Sequence, residues 1–443
     1  MSAPALWLRE WRSFFPRRWL TPLHTSVAYF DPGNWSVDLE AGSKYGYRLL
    51  FIVLLSSLGA TLLQTLSCRL GCVTGADLAV HNRLQFGSHP RHPKLYRWLV
   101  LVPLYVAAEI GIIATDLAEL LGSAIALSLL IGPKFPLWGG VLLTAADVFI
   151  LLLGLVVVLV IATFTCFIVL IVQVAPHWPS VFRGFLPSEA LIQGGAIYTG
   201  TSSHSPHALF LGSSLATLDR VKIEVCTPMP ACLETIRPVY TRSEIVARAV
   251  KRVFAVEKSE DTRPVLTHNE WENSSLMFIR SHLKHAIVDI GDGEEAPAGL
   301  FDAHALISRI VGKPAATLFA VALLCAGQSA SLTATLAGQV VSEGFINWRY
   351  LILTRSIGLI PAAIVAASFG SSGINSLLVG SQVALSFVLP FVAFPLVWFT
   401  SSRKVMRKFV DYSNGWIMMF FGYLVCVVVL VANVYAIVSL ARG

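Results

Sequence analysis

Residues 137–174 pass almost without a break through apolar side chains. A helical bilayer crossing takes roughly 20 such residues, so this run is long enough for two. Nothing else constrains the fold as tightly, because only helices and closed barrels satisfy their backbones in lipid. Further helix-length apolar runs lie at 22–41, 49–66, 98–131, 191–218, 314–341, 351–370, 374–400 and 415–440. Counting 137–174 as two, the sequence predicts an all-α polytopic membrane protein of about ten spans. Charged residues make up only 13% of the 443, against about 25% in soluble domains, and mean hydropathy is +0.68.

The net charge of +7 does not mark a nucleic-acid surface. The basic residues sit between apolar runs, as in the loop 67–97 with Arg69, Arg83, Arg91, Lys94 and Arg97, a positive-inside pattern. Arg9, Arg12, Arg17 and Arg18 precede no clean apolar core or cleavage site, so no cleaved signal peptide is expected. Cys68 and Cys72 have neither a zinc nor a redox spacing. No HExxH occurs, and His204-Ser205-Pro206-His207 alone is a weak zinc signal, so an enzyme is not expected. Asn273-Ser274-Ser275 matches a glycosylation acceptor, but it falls in the loop assigned here to the cytosol.

Two spans are interrupted. The first carries Asp31-Pro32-Gly33-Asn34, and the sixth carries Ser205-Pro206-His207. Unwound backbone at membrane depth is tolerated only where it lines a cavity or is buried in protein. Interrupted segments at corresponding places in two halves point to a transporter with inverted repeats and a midplane site. Asp31 offers a hard anionic oxygen and Asn34 a neutral one, a donor pair suited to a divalent cation. Two roles stay open for Asp31: metal ligand, or cap of the second half-helix. Glu109, Asp116 and Glu119 lie at spacings near whole helical turns, so they share a face. Such a face fits a proton relay or pairing with Arg355 and neighbouring helices. Gln382 fits a ligand or a structural hydrogen-bond link. Asp147 is expected to make a helix–helix contact.

The order of these pieces resembles the Nramp (natural resistance-associated macrophage protein) family, and its fungal members most. Asp31-Pro32-Gly33-Asn34 is similar to the first-helix metal motif. "EIGIIATDLAELLGSAIAL" (109–127) resembles the third helix and "PHALFLGSSLA" (206–216) the second half of the sixth. Residues 312–345 resemble the eighth helix, 353–362 the ninth and 381–391 the tenth. The resemblance implies a LeuT-like inverted-repeat fold and proton-coupled transport of divalent metal, chiefly manganese and also iron. It implies that Asp31, Asn34 and Gln382 hold the metal. It places His207, Glu109, Asp116, Glu119 and Arg355 on the proton route. Metal and protons are then cargo, and no resident cofactor is expected. The expected partners are the metal and the lipid bilayer, with no nucleic acid. Plasma, endosomal and vacuolar membranes are equally compatible.

Three departures accompany the likeness. Where the family presents Met-Pro-His, this chain has Ser205-Pro206-His207. A hydroxyl in place of a thioether weakens discrimination against magnesium and calcium, and this is the basis of a relaxed-selectivity or magnesium-type alternative. His204 pulls the other way, and the carbonyl ligand three residues earlier falls on Ser202. Residues 137–174 lack a polar connector, with only Gly154 as a turn. The seventh helix is missing between "FIRSHLKHAIVDI" (278–290) and "GDGEEAPAGLFDAH" (291–304). Residues 219–285 are basic and 289–302 acidic, a switch that a crossing would produce, yet no apolar run separates them. Short segments lost near 154, 200 and 290 account for all three, and a non-transporting incomplete form is then a further alternative. The expected organisation is a first repeat with the broken sixth span over 1–218, a polar cytosolic-type loop over 219–312, holding an amphipathic helix near 242–257, and a C-terminal bundle over 313–443.

Overall fold

The computed structural model describes residues 31–87, 92–132, 135–150, 154–174, 176–188, 206–217, 257–258, 300–349, 359–406 (except 361, 365 and 369) and 411–442. Helices of seven residues or more are labelled α1 Pro32–Tyr45, α2 Leu50–Thr74, α3 Leu78–Gly87, α4 Val102–Ile131, α5 Leu137–Ile150, α6 Gly154–Val174, α7 Trp178–Gly184, α8 Pro206–Leu215, α9 Leu300–Ile310, α10 Lys313–Ile346, α11 Gly370–Ser401 and α12 Trp416–Arg442. A two-residue ladder pairs β1, Glu257–Lys258, with β2, Trp348–Arg349. Among the described residues, five helical runs are long and apolar enough to cross a membrane. The bent pair of α6 and α7, turned by 115°, adds a possible sixth.

Within the 137–174 run the described helices are α5, Leu137–Ile150, and α6, Gly154–Val174. The second span is longer than hydropathy suggests, because α2 continues to Thr74. Its polar residues find partners inside the protein. Ser67 donates to the Leu209 carbonyl, and Arg69 reaches the Tyr412 and Ser413 carbonyls and Asn414 Oδ1. A basic loop was expected from 67. It starts late, and part of it is the ten-residue α3. The end of the polar segment is structured too. Amphipathic α9 buries Leu300 and Ala303 against the core shared by α1, α4 and α10. The amphipathic helix expected near 242–257 lies almost wholly outside the described residues.

Two poles organise the bundle. At one, α3 packs so closely on the end of α10 that a Cβ on Gly344 would overlap Ala79. The start of α4 joins them through Tyr105 and Phe345, whose ring centroids are 5.8 Å apart. The ends of α2, α8 and α11 meet there, tied by Leu78 N donating to Ser213 Oγ at 3.0 Å and by His81 against Phe399. At the other pole lie α9, the start of α10 and the end of α4. Helices α4 and α10 run antiparallel between them, in close contact where Gly327 meets Ser123.

Candidate functional site

In the two segments read as interrupted, the described helices begin on proline, Pro32 in α1 and Pro206 in α8. Proline suits a first helical position, since its missing N–H is unused there and its φ is already helical. The residue before it is pushed into extended backbone, and Asp31 has φ −103° and ψ 129°. An extended residue with a short polar side chain is a helix N-cap. Asp31 Oδ1 accepts from Gly33 N at 2.9 Å, and its carbonyl accepts from Trp35 N at 3.2 Å. Asp31 therefore does cap α1.

Capping engages one carboxylate oxygen. The other, Oδ2, accepts from Gln382 Nε2 at 3.1 Å. Asp31 is wholly buried, and Asn34 and Gln382 nearly so. A buried carboxylate is costly without compensation, and an amide N–H on α11 supplies it here. Asn34 follows in the first turn of α1 and is buried beside this pair in the chain. Ser202 and Ser205 lie outside the described residues. Among the described residues no three His, Cys, Asp or Glu side chains come together as a metal cage. The donor set is one carboxylate with amide oxygens, which suits a hard or borderline divalent cation.

His207 opens α8 and is buried. Its Nδ1 lies 3.2 Å from Thr115 Oγ1, whose hydroxyl donates to the Gly111 carbonyl at 2.9 Å. The single hydroxyl proton is thereby used, so Thr115 accepts, and the neutral imidazole carries its hydrogen on Nδ1. Nε2 is then a buried acceptor with no hydrogen-bond partner among the described residues. Asp116 and Glu119 are buried on α4, and Glu109, half-buried, takes a hydrogen bond from Tyr105 one turn earlier. Arg355, and the side chain of Asp147, lie outside the described residues.

Sequence reasoning missed two residues. Thr115 gave no signal, because a helical threonine ordinarily satisfies itself on the carbonyl four residues back. Gln64 did give one, as a lone amide inside an apolar span. It is fully buried, and a Cβ on Gly212 of α8 would overlap its amide nitrogen.

The family model described as natural resistance-associated macrophage protein-like matches residues 23–439. The chain is 36% identical to the manganese transporter pdt1 of Schizosaccharomyces pombe, covering 94% of this chain and 84% of that one. It is 37% identical to the divalent metal cation transporter MntH of Ralstonia nicotianae, covering 95% and 90%. Its fold superposes on the Eremococcus coleocola manganese transporter with a TM-score of 0.67 at 28% identity, over 97% of this chain and 87% of that one. The pdt1 alignment spans 462 positions, more than the 443 residues of this chain, so that relative carries residues that this chain lacks.

Proposed function

We propose, from the premise that this chain belongs to the natural resistance-associated macrophage protein family, that it carries divalent metal ions across a membrane in symport with protons. Manganese is the main substrate and iron a second. The observation that carries this reading is the Asp31 carboxylate, buried at the N-terminus of α1 with its Oδ2 held by the Gln382 amide. The Gln382 N–H group compensates the carboxylate until a cation replaces it.

When metal enters, Gln382 turns its amide to present Oε1, and Asp31 Oδ2 and Asn34 Oδ1 join it on the ion. Ser202 and Ser205 complete the cage. Asp31 keeps its cap to Gly33 throughout, so binding does not unravel α1. Protons travel separately. His207 Nε2 accepts one, and Glu109, Asp116 and Glu119 pass protons along α4 with Arg355 as countercharge. Alternating access rocks one set of helices against the other around the fixed site.

Purified full-length chain in proteoliposomes tests this. Manganese uptake driven by an inward proton gradient is expected, with collapse on protonophore and loss in Asp31→Ala. Uptake that ignores both changes overturns the reading. One observation favours a second reading, a form that binds metal without carrying it: the alignment longer than the chain. Manganese binding with no uptake identifies that form.

A further inference from the structure

We propose that Gly122 is a positioning residue of the metal site. Its bare backbone is the seat against which Pro32, and through it the Asp31 carboxylate, is placed. The inference rests on the transport reading above and assigns a role to a residue that is no ligand.

Gly122 sits in the middle of the 30-residue α4. Its backbone is ordinary helix, not among the positive-φ glycines, so no conformational need explains it. A glycine there is a poorer helix former than alanine. What it provides is room, since a Cβ at 122 would overlap both Cβ and Cγ of Pro32. One turn earlier, the Ala118 Cβ lies 3.0 Å from where a Cβ on Gly33 would stand. The first turn of α1 thus rests on two of the smallest residues of α4.

The proline ring cannot turn aside, because its φ is fixed. Nor can α4 retreat. On its other flanks a Cβ on Gly140 of α5 would lie 2.9 Å from Ala124 Cα, and Gly327 of α10 abuts Ser123. The first turns of α1 are also held by Trp35 against Phe167, with ring centroids 4.7 Å apart. A methyl at 122 therefore displaces the start of α1. Asp31 is bonded to Pro32, so its carboxylate shifts relative to Gln382 on α11.

The test compares Gly122→Ala with Gly140→Ala in the full-length protein, reading the KM and maximal rate of manganese uptake and the Kd for manganese in detergent. Both variants push a methyl against a close helix contact at α4, but only the first faces the cap. Gly122→Ala is expected to raise KM and Kd by about tenfold or more, as changes behind metal ligands typically do. Gly140→Ala is expected to keep the wild-type KM. A wild-type KM in Gly122→Ala, or an equal rise in both variants, overturns the inference. If Gly122→Ala does not fold, Pro32→Ala decides. It leaves a gap in the same contact and is expected to raise KM several-fold, and an unchanged KM overturns the inference. A wild-type protein that binds no manganese overturns the transport reading, and this inference with it, before any variant is compared.

Discussion

At the scale of single residues, the two readings of Asp31 are not rivals. One carboxylate has two oxygens, and the cap uses only Oδ1. Sequence spacing revealed the break and the acid beside it, because Pro-Gly-Asn after Asp is local chemistry. The Gln382 contact joins residues 351 apart in the chain and could come only from the resemblance. Thr115 was illegible, since its usual intrahelical bond hides the second bond to His207. That pair makes a prediction. Thr115→Val removes the acceptor and leaves a buried Nδ1–H unmet, which costs about 1–3 kcal/mol. The imidazole relieves this by changing tautomer or turning, and Nε2 ceases to be the bare acceptor. Proton-driven uptake is expected to fall while manganese affinity at fixed pH stays at the wild-type value. A matching loss of both would show that His207 serves the metal and not the proton.

At the scale of elements, long apolar helices were legible and short polar ones were not. Helix α3 looks like loop in the sequence because its ten residues carry His81, Asn82 and Arg83. Burial of those groups rests on distant partners. Thr74 Oγ1 meets His81 Nε2 at 2.8 Å, and Arg83 donates to the Glu343 carbonyl at 3.2 Å. Asp77 caps this helix by accepting from Val80 N at 2.9 Å. Burial pushes its carboxyl up to about 6, and nearby Glu343 adds to this, against the pull of the Val80 N–H and Arg83. An unfolded aspartate titrates near 3.9, so between those values the folded chain holds the extra proton. This contribution to stability is present in full below about pH 4 and is lost as pH rises through about 6. Asparagine caps equally well and does not titrate. Asp77→Asn is therefore expected to flatten the fall in Tm between about pH 4 and pH 6. Melting curves of both proteins across that range check it, and parallel slopes would remove Asp77 as the cause.

At the scale of the whole molecule, the poles turn the missing seventh span into a geometric requirement. Helix α8 ends beside α3, where Ser213 receives Leu78 N. The β1–β2 ladder holds Glu257–Lys258 close to the end of α10, at the same pole. Leu300 is already packed with the core of the opposite pole. The chain therefore passes from one pole to the other between Lys258 and Leu300, yet 259–299 contains no apolar run of bilayer length. Arg69, Arg83, Lys94, Lys258, Arg349, Arg403 and Lys404 all belong to the first pole, so the positive-inside rule predicts that this pole faces the cytosol. Single cysteines at Lys258 and Lys404, in a background without the native cysteines, are expected to react with an impermeant thiol reagent from the cytosolic side. One at Leu306, exposed on α9, is expected to react from the opposite side. Labelling of Lys258 and Leu306 from one side would mean that no crossing separates them. The opposite-side result leaves a crossing that this sequence has no ordinary segment to make. Sequencing the full-length transcript across residues 150–300 then reads out directly whether an apolar span has been lost there.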